Sequence, residues 1–225
     1  MTLISSLLGF ILGIGIFSIP WYPFVRQQFP SFNHKIFVYG INLLFAMCST
    51  SIISHFYLLF GIYNWQFVAL SNFLIALLLF YFFKNSKQWI FQDIKLSKNW
   101  HKWALVISLI SVISRIIEVF VNNVPKSFDT YIHIRIISRI LEQVRPLESS
   151  LFYPLGMHGW IVSWSTFGDW REVILLSPII GVLLWTIFSW LLVSRLNLPD
   201  IYKVSLILIL HFFPLNPIAQ HLAWS

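Results

Sequence analysis

Apolar stretches long enough to cross a bilayer follow one another along almost the whole chain, and this constrains the fold more than any single motif. A transmembrane helix needs about 20 mostly apolar residues to span a hydrocarbon core of roughly 30 Å. Six stretches meet that length: Leu3 to Val25, Ile36 to Phe60, Trp65 to Phe83, Trp103 to Val124, Glu172 to Ser194, and Ile201 to about Ile218. The chain is 58% hydrophobic and only 10% charged, with a mean hydropathy of +0.77. That balance excludes an ordinary soluble domain and predicts an all-α integral membrane protein with about six transmembrane helices. Pro20 and Pro23 near the end of the first stretch, and Pro214 and Pro217 near the end of the last, fall where membrane helices tolerate proline. Met1 to Phe24 lacks the basic n-region of a cleavable signal and reads as a retained first span. The single cysteine, Cys48, has no partner for an intramolecular disulfide.

A formal net charge of +7 would point a soluble protein towards nucleic acid or an anionic surface. Here the basic residues flank apolar spans, so they report topology, and no nucleic-acid partner is expected. With Phe32 in the cytoplasm, the cytoplasmic segments hold Arg26, Lys35, Lys84, Lys87, Lys95, Lys98, Lys102, Arg195 and Lys203, nine of the 15 basic residues. Gly156 to Gly168 is apolar and Trp-rich, but as a helix its 13 residues rise only about 20 Å. It is therefore expected along the outer interface, with Trp160 and Trp164 at headgroup level. Residues 1–102 then form three spans and a basic connector, of which Asn85 to Lys102 lies on the inner surface. Residues 103–225 comprise a span at 103–124, an external loop at 125–171 carrying amphipathic and interfacial helices, spans at 172–194 and 201–218, and the start of a second external loop at 219–225.

Ionisable residues gather in one window. Ser127 to Trp160 holds Asp129, His133, Arg135, Arg139, Glu142, Arg145, Glu148 and His158. If Asp129 caps a helix running to about Val144, Ile132, Ile136, Ile140 and Val144 form an apolar face, with Arg135, Ser138, Arg139 and Glu142 opposite. Asp129 and His133, four apart, share a face. A carboxylate and an imidazole so placed can bind a divalent metal, or the carboxylate can take a proton from an attacking hydroxyl. The plainer alternative is that Asp129 is a helix cap and His133 an interfacial polar residue. In the preceding span Arg115 and Glu118, three apart, can neutralise one another or place Arg115 near an anionic ligand group. Tyr153-Pro154-Leu155-Gly156 forms a turn that returns His158 towards Asp129. His55 and His211 are expected to be packed, hydrogen-bonded residues.

The string FDTYIHIRIISRILEQ, followed by YPLGMHGW, resembles the first external loop of the GT-C superfamily of glycosyltransferases that use polyprenyl-phosphate-linked sugars. It looks closest to the branch containing the oligosaccharyltransferase catalytic subunits, whose loop reads roughly D-x-x-x-H/N-x-R and later Y-P-P-G. Asp129, His133 and Arg135 match the first pattern; Tyr153, Pro154 and Gly156 match the second, with Leu155 in place of a proline. Arg115 sits where many members carry an arginine. The resemblance covers about Trp103 to Ser225, and three spans precede the helix that would be the family's first.

This resemblance implies a GT-C-like N-terminal module in a prokaryotic plasma membrane, transferring a sugar from a polyprenyl-linked donor to a glycan or protein acceptor at the extracytoplasmic face. Asp129 and His133 would be the catalytic pair and the ligands of a divalent metal, Mg or Mn. Arg115, Arg135, Arg139, Tyr153, His158 and His221 would contact substrate, beside the membrane lipid. The family continues through further spans and a second external loop, so the sequence is expected to represent the N-terminal part of such an enzyme. The alternative is an inactive relative serving as a lipid-binding or assembly subunit. A transporter is disfavoured by the lack of an inverted repeat.

Overall fold

The computed structural model describes residues 3–30, 35–86, 98–121, 128–142 and 156–212, and among them every regular element is a helix. Helix α1 (Leu3–Ser18) passes through a 3₁₀ turn (Ile19–Trp21) into α2 (Tyr22–Gln28). The cause of the break is local: Pro20 has no N–H to give the preceding turn, and the chain tightens so that Tyr22 N–H bonds the Ile19 carbonyl. One turn earlier, the Phe17 carbonyl accepts from the side-chain amide of Asn72 at 2.8 Å.

Asn72 lies fully buried on α4 (Trp65–Phe82) and joins three segments. Its Oδ1 accepts from Trp21 Nε1 at 2.9 Å and from the hydroxyl of Ser49 on α3 (Lys35–Leu59). Trp21 also stacks on Phe45 of α3, with centroids 5.4 Å apart. In a medium without water an unbonded polar group is costly, and here each bond of Asn72 ties one helical segment to another.

Helices α3 and α4 are joined by a tight turn whose chemistry the sequence supplies. Gly61 adopts φ 64°, the left-handed conformation that favours glycine. Gly61 N–H bonds the Leu58 carbonyl and Ile62 N–H the Tyr57 carbonyl, the paired bonds of a Schellman stop. Asn64 then caps α4, its side chain accepting from Gln66 N–H at 2.8 Å. At the other end of this hairpin, Gln28 of α2 donates to the Phe83 carbonyl at 3.0 Å.

A second group consists of α5 (Lys98–Val121), α8 (Trp170–Arg195) and α9 (Asp200–Phe212). Trp190 of α8 donates to Ser108 of α5 at 3.0 Å, and Trp185 donates to the Leu210 carbonyl of α9 at 2.9 Å. His211 is buried, as expected. Its Nδ1 lies 2.8 Å from the Ile207 carbonyl, so it carries the proton, leaving Nε2 to accept from Thr186 at 3.0 Å. His55, by contrast, is half-buried, and its Nδ1 finds no hydrogen-bond partner among the described residues. The two groups meet where Gly40 of α3 lies against Ile187 of α8.

Three helical stretches, Ile4–Gln28, Phe37–Leu59 and Trp65–Phe82, are long and apolar enough to cross a membrane. These are the first three expected spans within a few residues, and they identify an integral membrane protein. Exposed side chains on them are large and apolar, for instance Ile4, Leu8, Leu70, Phe73 and Leu77, as the bilayer requires of a surface facing it. Helices α5, α8 and α9 stand where the fourth, fifth and sixth spans are expected; 213–218, the end of the sixth, lies outside the described residues. Lys203 Nζ sits 5.7 Å over the Trp100 ring, so α5 and α9 begin at the same end of the bundle.

Asn72→Ala is expected to remove three interhelical bonds. At about 0.6 kcal/mol for each such bond inside a membrane protein, the loss is about 2 kcal/mol, measurable by denaturant titration in mixed micelles.

Candidate functional site

Two short helices, α6 (Phe128–Leu141) and α7 (Gly156–Trp164), build the region singled out by its charge. The expectation for α7 is corrected in one respect. Trp160 and Trp164 do not lie on an exposed outer face: they are 6% and 0% exposed, and every residue from His158 to Ser165 is buried. Helix α7 is wedged between α1 and α3 and also touches α4, α6 and α8.

Glycine makes the wedge possible. A Cβ on Gly13 would collide with the Trp164 backbone, one on Gly9 with the Phe167 backbone, and one on Gly159 with the Ser54 side chain on α3. Gly9 and Gly13 are four apart and share a face of α1, the small-xxx-small spacing that lets membrane helices touch along their backbones. Trp164 fills the space beside them, its ring 6.4 Å from Phe10 and 6.3 Å from Phe17. Asp169 N–H then bonds the buried Ser6 hydroxyl at 3.2 Å, and Trp65 meets Phe167 edge-on at 5.6 Å.

A hydroxyl cluster pins the other side. Ser163 donates to the Gly159 carbonyl at 2.8 Å, which uses its one proton. Its oxygen therefore accepts from Tyr63 at 2.8 Å and from Ser54 at 3.3 Å. Burial pushes the Tyr63 phenol well above its usual range, against a smaller opposing pull from the Ser163 bond. At neutral pH it is an O–H donor held at the turn between α3 and α4. Gly9, Gly13, Ser54, Tyr63 and Ser163 were not singled out from the sequence; the Gly9-Phe10-Ile11-Leu12-Gly13 spacing was the available signal.

Helix α6 packs against α7. Among the described residues it begins at Phe128, so Asp129 is itself helical and is not the cap before the helix. The buried face keeps Ile136 and Ile140 of the expected one and adds Ile137. Ile137 and Ile140 are 0% and 3% exposed, Ile134 and Ile136 pack against the core, and Arg135 and Arg139 are exposed. At 100° per residue, positions 129 and 133 lie about 40° apart around the helix, between position 139 on one side and position 137 on the other. His158, in the first turn of α7, is 1% exposed. The structure thus brings together the helix of Asp129 and His133 and the helix of His158.

Arg115 and Glu118 lie on the last two turns of α5. Tyr153, with Pro154 and Leu155, and His221 lie outside the described residues. Among the described residues no group of three or more His, Cys, Asp or Glu converges on one point.

No family model, curated protein or solved structure matches the chain.

Tyr63→Phe and Ser163→Ala should each loosen α7, and the pair should cost less than the sum of the singles. A coupling of about 1 kcal/mol is expected from the thermal stabilities of the four proteins in detergent. Strict additivity would show that the hydroxyl bond does not hold the helix.

Proposed function

We propose that the chain is the N-terminal module of a GT-C-like membrane glycosyltransferase acting at the extracytoplasmic face of a prokaryotic plasma membrane. The single observation that carries this reading is the Asp129-x-x-x-His133-x-Arg135 string standing on one helix that docks on α7. In this reading α5, α8 and α9 would be further spans beside the three long apolar helices, α6 would lie in an external loop, and Arg26, Lys35, Lys84, Lys102, Arg195 and Lys203 would belong to the cytoplasmic end by the excess of basic residues there.

In this reading the donor is a sugar on a polyprenyl phosphate or diphosphate, and the acceptor is a glycan hydroxyl or a protein side chain. Asp129 takes the proton as the acceptor atom bonds to the anomeric carbon, and the bond from that carbon to the phosphate oxygen breaks. The phosphate leaves with the carrier. Asp129 and His133 would hold a divalent cation, Mg²⁺ or Mn²⁺, which when bound supplies positive charge to the phosphate oxygens. Arg135 and Arg139, one turn apart on the exposed face of α6, suit the carrier phosphate, because the guanidinium fork matches its oxygens. Arg115, Tyr153, His158 and His221 complete the proposed substrate contacts. The carrier's polyprenyl tail stays in the bilayer, which accounts for a reaction centre at its surface.

Asp129→Asn is expected to abolish transfer from a polyprenyl-linked sugar in membranes of a strain expressing the chain in its native setting, with insertion unchanged; near wild-type turnover would remove Asp129 from the mechanism. Orientation has its own test. In a Cys48→Ser background, Thr130→Cys should react with an impermeant maleimide added to intact cells and Ser86→Cys should not. The reverse pattern would overturn both the topology and the site.

A further inference from the structure

The end of the bundle away from α6 and α7 carries a cleft of about 130 Å³ lined by Tyr22, Arg26, Lys35, Val38 and Tyr39. Arg26 is in the last turn of α2 and Lys35 is the first residue of α3, so the connection between these helices sets two cations at one opening. No Asp or Glu is among the lining residues. Tyr22 and Tyr39 stack, with centroids 6.0 Å apart and planes at 24°, yet stay 40% and 55% exposed. Both line the cleft with the two cations, and a phenol is a further hydrogen-bond donor available to a ligand there. The first turn of α3 forms the inner wall through buried Val38.

Size and surroundings narrow the ligand. The cleft is smaller than the roughly 300–1,000 Å³ of pockets that enclose drug-sized molecules, and its volume suits a phosphate headgroup. From its mouth an apolar track runs back along the first span: Ile19 is 70% exposed and Ile16 is 39% exposed, at helical spacing before Tyr22. Free phosphate has no use for such a track, whereas an acyl chain does. Stacked tyrosines at a membrane boundary, with basic residues between helix ends, form the chemistry that holds an anionic lipid in place.

We propose that this cleft binds the phosphate headgroup of an anionic phospholipid, with an acyl chain lying along Ile16 and Ile19. The site is independent of the glycosyltransferase reading, whose residues lie at the opposite end of the bundle.

The test uses the whole chain purified in a neutral detergent, with binding read by native mass spectrometry and by melting temperature. Dioctanoyl phosphatidylglycerol is the probe; dioctanoyl phosphatidylcholine and inorganic phosphate are the comparators. Phosphatidylglycerol should bind and raise the melting temperature, and neither comparator should do so at equal concentration. Lys35→Gln, at an exposed position, should weaken phosphatidylglycerol binding about fivefold, and Lys35→Gln with Arg26→Gln about 25-fold, as expected for losing one and two surface cations. An equal shift with inorganic phosphate would make this a free-anion site, and one with phosphatidylcholine would remove the charge argument; either overturns the proposal. So would undiminished binding by a folded Lys35→Gln protein.

Discussion

Direct backbone contact between α1 and the end of α7 governs this molecule, because a nine-residue helix is too short to cross a bilayer and must be held by its neighbours. Gly9 and Gly13 remove the side chains that would keep α1 away, and Gly159 does the same towards α3. With backbones in contact, Trp164 can fill the space between Phe10 and Phe17, and Ser163 can reach both Tyr63 and Ser54. The position of α6, and of everything it carries, follows from that docking.

Several polar side chains in the helices tie one helix to another. Asn72 joins the 3₁₀ turn, α3 and α4; Ser108 meets Trp190; Thr186 meets His211. Lipid tails are as apolar as leucine, so burying leucine against leucine gives membrane helices little reason to prefer one partner. A hydroxyl, amide or indole N–H has such a reason, since its alternative is to face hydrocarbon unbonded. The few polar residues within the spans therefore define which helices pair and in what register.

Much of this was legible in the sequence, for physical reasons that also explain the gaps. Long apolar runs fixed the first three spans within a few positions, because length and hydrocarbon thickness are tightly linked. Gly61 and Asn64 declare the turn between α3 and α4 by local chemistry. What periodicity missed was partnership. Trp160 and Trp164 read as interfacial residues because nothing in their own segment records that Gly9 and Gly13, far away in the chain, leave room for them. The apolar face of α6 was placed through Ile132, Ile136, Ile140 and Val144; Ile136 and Ile140 do pack inward, and Ile137, which fourfold spacing left out, is buried with them. The chemistry of Asp129 and His133 rests on spacing and resemblance.

The wedge also has a bearing on assembly in time. A chain synthesised from its N-terminus delivers α1, α3 and α4 to the bilayer well before Gly156 leaves the ribosome. Until then the face of α1 that carries Gly9 and Gly13 has only lipid against it, and acyl chains must fill the groove that α7 later occupies. Docking of α7 is thus a displacement reaction, in which released lipid gains freedom as tryptophan, glycine backbone and serine hydroxyls take its place. The early helices are inserted first, and the bundle closes only when its shortest helix arrives.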